Sequence, residues 1–239
     1  MTTVTIVFAL MFYVAVAVLV AGLVYRVKQY ALTPAPLKIP VMPAPLTRTG
    51  SAARVFQEVV FFKSLFKASK WTWIFGWAFH AALVVVLLRH LRYFTEPVWG
   101  LIVLVQPFGI YAGFAMVAGL ACLWARRLLV DRMRYISSSS DHLFLILLLA
   151  IGVSGLLMKY VSHTDIVAFK AFTLGLVLFD WQPLPSDPLV LIHLTLVAVL
   201  MIVFPFSKML HAPGLFFNPT RYQVDNARER RHVARRRTA

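Results

Sequence analysis

The sequence predicts an all-α integral membrane bundle of five transmembrane helices, with its N-terminus outside and its C-terminus in the cytoplasm. Three observations carry that expectation. First, 60% of the 239 residues are hydrophobic and only 14% are charged, with a mean hydropathy of +0.78. A soluble domain of this length cannot hide so much apolar side chain beneath a polar surface. Second, the apolar residues fall in five blocks, roughly 4–25, 71–94, 97–125, 141–163 and 188–208. Each is long enough for the ~20 helical residues that hydrocarbon requires, and none alternates as the ~10-residue strands of a barrel do. Third, 20 of the 24 Lys and Arg residues lie in three segments: 26–70, 126–134 and the stretch from Lys208 to the end. Cytoplasmic loops collect such charge, so these three face inward.

The elements follow in order. No charge precedes the first block, whereas a cleavable signal begins with a basic region, so residues 4–25 read as a span. The loop 26–70 opens with a proline-rich strap, 33–45, holding Pro34, Pro36, Pro40, Pro43 and Pro45, an extended polyproline-like composition. Residues 51–70 mix apolar residues with Lys at helical spacing and suggest a helix in the inner interface. The fourth span starts after SSSSD (137–141), a capping signal, and the segment 164–187 is an outer loop. The domain division is 1–211, the membrane domain with its loop 26–70, and 212–239, a basic tail. The net charge of +15 is explained by orientation and by attraction to anionic lipid, with no need of nucleic acid. Cys122 is alone, which excludes an internal disulfide or a cysteine-held cluster.

Histidine inside a span is costly unless it has a function. His232 belongs to the tail, and His142 and His163 bound the fourth block. The remaining four are His80 and His90 on the second span and His193 and His211 at the fifth. Ten residues cover about 15 Å of helix and eighteen about 27 Å; eighteen residues make five whole turns, so a continuous helix would aim the latter pair the same way. Antiparallel spans then set His90 against His193 near the outer side and His80 against His211 near the inner side. Two facing imidazoles at each level suit six-coordinate iron in two b-type haems, which carry electrons and leave no open site. Gly76 would let a porphyrin approach the backbone, Arg89 and Arg92 would pair with outer propionates, and Lys208 with inner ones. Zinc is disfavoured because no cysteine or carboxylate cluster joins the histidines.

At these residues the chain resembles the gamma-subunit family of respiratory nitrate reductase. WTWIFGWAFHAALVVVLLRH (71–90) is similar to that family's second span, and HLTLVAVLMIVFPFSKMLH (193–211), with its FPFS, to the fifth. FFKSLFKASKW (61–71), RYISSSSDH (134–142), HAPGLFFNPTRYQVDN (211–226) and RERRHV (228–233) look like the membrane subunit of the sulfite-reduction-associated Dsr electron-transport complex. The resemblance implies a distal haem on His90 and His193 and a proximal one on His80 and His211. It also implies exchange of electrons between a quinone (menaquinone or ubiquinone) and a cytoplasmic iron–sulfur subunit similar to heterodisulfide reductase, linked to sulfur metabolism. Further membrane and periplasmic electron-transfer subunits are expected beside it, in the inner membrane. The chain departs from the family in showing no lysine in the third span where quinol is bound.

By depth alone, the quinone-site candidates are Arg89, Arg92, Glu96, Gln106, Lys159 and His163. Two rivals stand beside this reading: a nitrate reductase gamma subunit with another cytoplasmic partner, and a haem-free anchor or proton channel. A transporter built on inverted halves is disfavoured because no internal repeat is visible.

Overall fold

The computed structural model describes residues 2–34 and 39–226. Pro36 and Lys38 of the strap, and RERRHV, His232 and the arginines around them, lie outside the described residues. The described chain is helical, and five of its helices are long and apolar enough to cross a membrane. It is a multi-pass membrane protein.

Helix α1 (Thr3–Leu32) starts where Thr2 accepts from the Thr5 amide at 3.2 Å and continues past Arg26 and Lys28. It is longer than its apolar block because two basic side chains near an interface can extend their stems into water without ending a helix. The expected interfacial helix is two: α2 (Arg48–Phe61), capped by Thr47, and α3 (Lys63–Ala68), joined at Phe62 in the left-handed region with φ 50°. Left-handed backbone is unfavourable for a bulky residue. Here Trp73 and Trp77 of the next helix hold the reversal by donating their indole N–H to the carbonyls of Phe61 and Val60, at 2.7 and 2.8 Å. Helix α4 (Lys70–His90) follows directly, capped by Ser69.

The third apolar block holds two helices where one span was expected. Helix α5 (Gly100–Val105) ends at Gln106 and Pro107, and α6 (Phe108–Leu129) crosses. Pro107 has no amide to continue the ladder, so the break falls at the proline. After the short α7 (Asp131–Ile136), α8 (Ser139–Leu157) opens with a full capping box: Ser138 and Asp141 satisfy each other's backbone amides. A π turn over Met158–Ser162 extends it.

The segment expected as an outer loop is helical too: α9 (Ile166–Leu178), capped by Asp165, whose carboxylate accepts from the amides of Val167 and Ala168. Thirteen residues reach about 20 Å, short of a bilayer, and the charges around them hid the helix from a span search. Finally α10 (Pro188–Val203) begins at the Asp187 cap with proline in its first turn and stops at Phe204. Beyond it the chain runs in 3-10 turns over Phe204–Phe206 and Lys208–Leu210 to His211. The five whole turns expected between His193 and His211 are therefore interrupted at Pro205, which cannot donate within a helix.

The packing order is α4 on α6, α6 on α8, α8 on α10 and α10 on α1, an open arc in which α4 and α10 are not packed against each other. The tightest seam is α4 with α6, built on Gly119. A Cβ there would stand 3.1–3.3 Å from the Phe75 carbonyl and the Phe79 backbone and Cβ. Small residues allow such approach in membranes, where packing drives helix association.

Both ends of the arc are tied. At one end Arg221 bonds Glu58 at 3.2 Å and Ser64 at 2.6 Å, and the Val41 amide donates to the Thr220 carbonyl at 2.9 Å. The described strap and the described part of the tail thus form one hydrogen-bonded piece. At the other end Tyr13 of α1 donates to the Leu176 carbonyl at 3.0 Å and accepts from Trp181 at 2.9 Å. Asp187 joins two spans there by accepting from Ser162 and from Thr164, the latter at 2.7 Å.

Two expectations follow. Gly119→Val should destabilise the protein by about 1–3 kcal/mol through overpacking, while Gly100→Ala, with open space around it, should be neutral. Differential scanning fluorimetry in detergent compares them directly. The hydroxyls of Ser162 and Thr164 hold the Asp187 carboxyl below the usual carboxylate range. With a depressed folded value, its contribution is present above the unfolded value of about 4 and is lost as pH falls through the folded one. The melting temperature of Asp187→Asn should therefore fall less on acidification from pH 6 to 3 than that of the native chain.

Candidate functional site

Three of the four expected ligands ride on α4 and α10, the helices that stay apart in the arc, and His211 follows α10 after two 3-10 turns. His80 and His90 sit on α4, and each ring bonds the carbonyl one turn back through Nδ1: His80 to Gly76 and His90 to Val86, both at 2.7 Å. A carbonyl only accepts, so each Nδ1 carries the proton. His211 does the same with the Lys208 carbonyl at 3.0 Å. His193, buried on α10, bonds Ser154 of α8 at 2.9 Å. Ser154 has one hydrogen and directs it to the Ile151 carbonyl at 3.0 Å, so its oxygen accepts and His193 Nδ1 donates.

All four rings therefore share one tautomer, with an Nε2 lone pair that has no hydrogen-bond partner among the described residues. That is the state of a metal-ligating histidine whose second nitrogen is fixed by an outer partner. His80 and His211 face each other with ring centres 6.0 Å apart and planes at 82°. Metal–imidazole bonds are about 2 Å long, so one iron held between two Nε2 atoms sets the ring centres about 6 Å apart. His90 and His193 lie within electrostatic range of each other at the other level. Two imidazoles per level are too few for a protein-only metal centre and match the two axial positions of a haem. Among the described residues a Cβ on Gly76 would meet only Leu65, at 3.7 Å, and one on Gly155 would stand 3.5 Å from His193 Cε1. Small residues thus flank the ligands, and the residues present fit haem.

The quinone-site candidates separate. Arg89 and Arg92 flank His90 in sequence, and Lys159 lies within electrostatic range of both arginines. Arg89 packs its stem on Gly109, and Arg92 lies 4.6 Å over the Tyr93 ring and bonds that hydroxyl at 2.6 Å. Glu96 is paired with Lys170 of α9. Gln106 is half-buried at the α5–α6 break. His163 is exposed with φ 51°, its ring against its own Val161 carbonyl at 3.2 Å. Lys208, expected to meet a propionate, is held by Asp141, 2.9 Å from each of its carboxylate oxygens.

Sequence reasoning missed three side chains that shape this site. Ser154 reads as one small residue in an apolar span; only its position across from a histidine gives it a role. Phe62 touches His80 edge-on, ring centres 5.0 Å apart. Thr173 of α9 donates to the Tyr93 carbonyl at 2.6 Å, fixing the turn after His90.

Comparison with known proteins follows the same residues. The chain is 35% identical to the Hdr-like menaquinol oxidoreductase cytochrome b-like subunit of Archaeoglobus fulgidus, over 92% of this chain and 80% of that one. It is 33% identical to the subunit of the same description from Archaeoglobus profundus, with the same coverage. The family model described as nitrate reductase gamma subunit matches residues 63–233, a stretch that begins just after the reversal at Phe62 and includes His80, His90, His193 and His211. The chain belongs to the nitrate reductase gamma subunit family.

Proposed function

We propose that the protein is the dihaem cytochrome b subunit of a membrane complex, exchanging electrons between a quinone pool and an iron–sulfur subunit. The observation that carries this is the His80–His211 pair: two rings 6.0 Å apart, each with Nδ1 occupied and Nε2 free. His80 and His211 would hold one haem b, and His90 with His193 the other. A haem held by each pair would supply one-electron transfer.

The chain's own residues supply the rest. The Nδ1–H bonds fix each ring plane and increase the basicity of Nε2. Arg89, Arg92 and Lys159 neutralise carboxylates beside His90, whether propionate or a group that accepts protons from quinol. Glu96, Gln106 and His163 complete the candidate quinone region from the surface. The end bearing the 26–70 loop and residues 208–226 faces the cytoplasm by its basic charge, which puts the N-terminus outside. That end receives the iron–sulfur subunit. Menaquinol and an Hdr-like partner are favoured by the descriptions of the two archaeal relatives, and a link to sulfur metabolism by the resemblance of residues 211–226 to the Dsr membrane subunit. Residues 212–239 act as the tail that selects this partner, the remainder as the haem-bearing membrane domain.

Pyridine haemochrome and reduced-minus-oxidised spectra of the purified protein should show two haems b per chain. His90→Ala and His211→Ala should each lose one, and a different one. Membrane-inserted protein without haem, from cells competent to make it, would leave a haem-free anchor as the reading.

A further inference from the structure

His80, His90 and His193 all ride on regular helices, so their positions are inherited from the bundle. His211 does not. Between Val203 and His211 the chain passes through Pro205 and two 3-10 turns, and its ring is held by the Lys208 carbonyl at 3.0 Å. Something outside α10 must fix that turn.

Asp141 is in place to do so. Its side chain is only 10% exposed, while that of Lys208 is 68% exposed, so the carboxylate is the buried member of the pair. It accepts from Lys208 Nζ at 2.9 Å on both oxygens. It also accepts from the Ser138 amide at 3.0 Å and hydroxyl at 2.9 Å, with Arg127 3.8 Å away. Arg127 ends α6, Ser138 caps α8 and Lys208 follows the break in the fifth span. Asp141 thus ties three spans at one point, and its attachment to the fifth is the ligand turn itself. A charge-assisted bond of this kind is stronger than a neutral one, and it is partly sheltered from solvent screening.

We propose that Asp141 is a positioning residue for His211, acting through Lys208 to hold the turn whose carbonyl orients the imidazole. The proposal rests on the dihaem reading above.

The test is a redox titration with low-temperature EPR on the haem-loaded full chain, comparing the native protein with Asp141→Asn, Lys208→Met, the double variant and Lys208→Arg. Asp141 and Lys208 form a neutral pair. A purely electrostatic influence predicts midpoint shifts of opposite sign in the two single variants and cancellation in the double. Positioning predicts the same change in both singles: a broadened low-spin signal and a twofold or greater loss of the haem on His211, with the other haem retained. The double variant should then be no worse than either single, and Lys208→Arg should keep the native signal. Opposite-sign shifts that cancel, unchanged line shape and occupancy in both singles, or equal loss of both haems would each overturn the assignment. Should Asp141→Asn fail to accumulate, Lys208→Met still decides: a midpoint shift with native line shape and occupancy overturns the assignment, and a broadened signal with lost occupancy supports it. A native protein without haem overturns the dihaem reading and this proposal together; the variant outcomes bear on the positioning alone.

Discussion

An imidazole N–H inside an apolar bundle needs an acceptor built into the protein, since hydrocarbon offers none. His80 and His90 solve this within their own helix. The carbonyl one turn back has a second lone pair beyond its backbone bond, so no helical hydrogen bond is lost. His193 lacks that arrangement and takes Ser154 from the neighbouring span. Each solution does two things at once: it satisfies the imidazole donor, and it leaves the opposite nitrogen without a hydrogen. The need to satisfy one proton thereby fixes the tautomer of each ring.

The open arc limits how the bundle can be held together. With α4 and α10 apart, the arc closes only through its neighbours and its ends. The seam at Gly119 stiffens one side. One end is joined by the Glu58–Ser64–Arg221 network and by the strap's bonds to residues 220–225. At the other, α9 packs Phe169 on Tyr93 with ring centres 5.0 Å apart and pairs Lys170 with Glu96. Polar bonds concentrate at the ends because water and headgroups let imperfect networks survive there, whereas a half-satisfied one in the core would cost several kcal/mol.

How much of this was legible depends on what each residue's signal reports. The five spans and the four histidines were visible because apolar length and an ionisable group at membrane depth are properties of the sequence itself. The pairing of His80 with His211 followed from antiparallel order alone. The break after Val203 was signalled by Pro205, which offered a way to reconcile the two spacings, although the five-turn arithmetic itself holds only for a continuous helix. Helix α9 was hidden because Asp165, Lys170 and Asp180 resemble a loop when judged by charge. Ser154 and Phe62 left no signal: a lone serine in an apolar run and a phenylalanine between lysine-bearing turns acquire meaning only from what lies across the bundle.

The interruption of the fifth span itself has a physical logic. Along α4 the two histidines are about 15 Å apart, while eighteen residues of continuous helix would carry His211 about 27 Å from His193. A straight fifth span could not serve both levels. Pro205 ends the helix, and the break is absorbed by its surroundings. Gly22 of α1 leaves the space that the Pro205 ring occupies, where any Cβ would overlap it. Arg26 donates to the Pro205 carbonyl at 3.4 Å, an acceptor freed by the interruption. Ser207 caps the following turn by accepting from the Met209 amide at 3.1 Å. Phe-Pro-Phe-Ser is therefore a device for re-aiming His211, and its fit depends on a glycine nearly two hundred residues earlier in the chain.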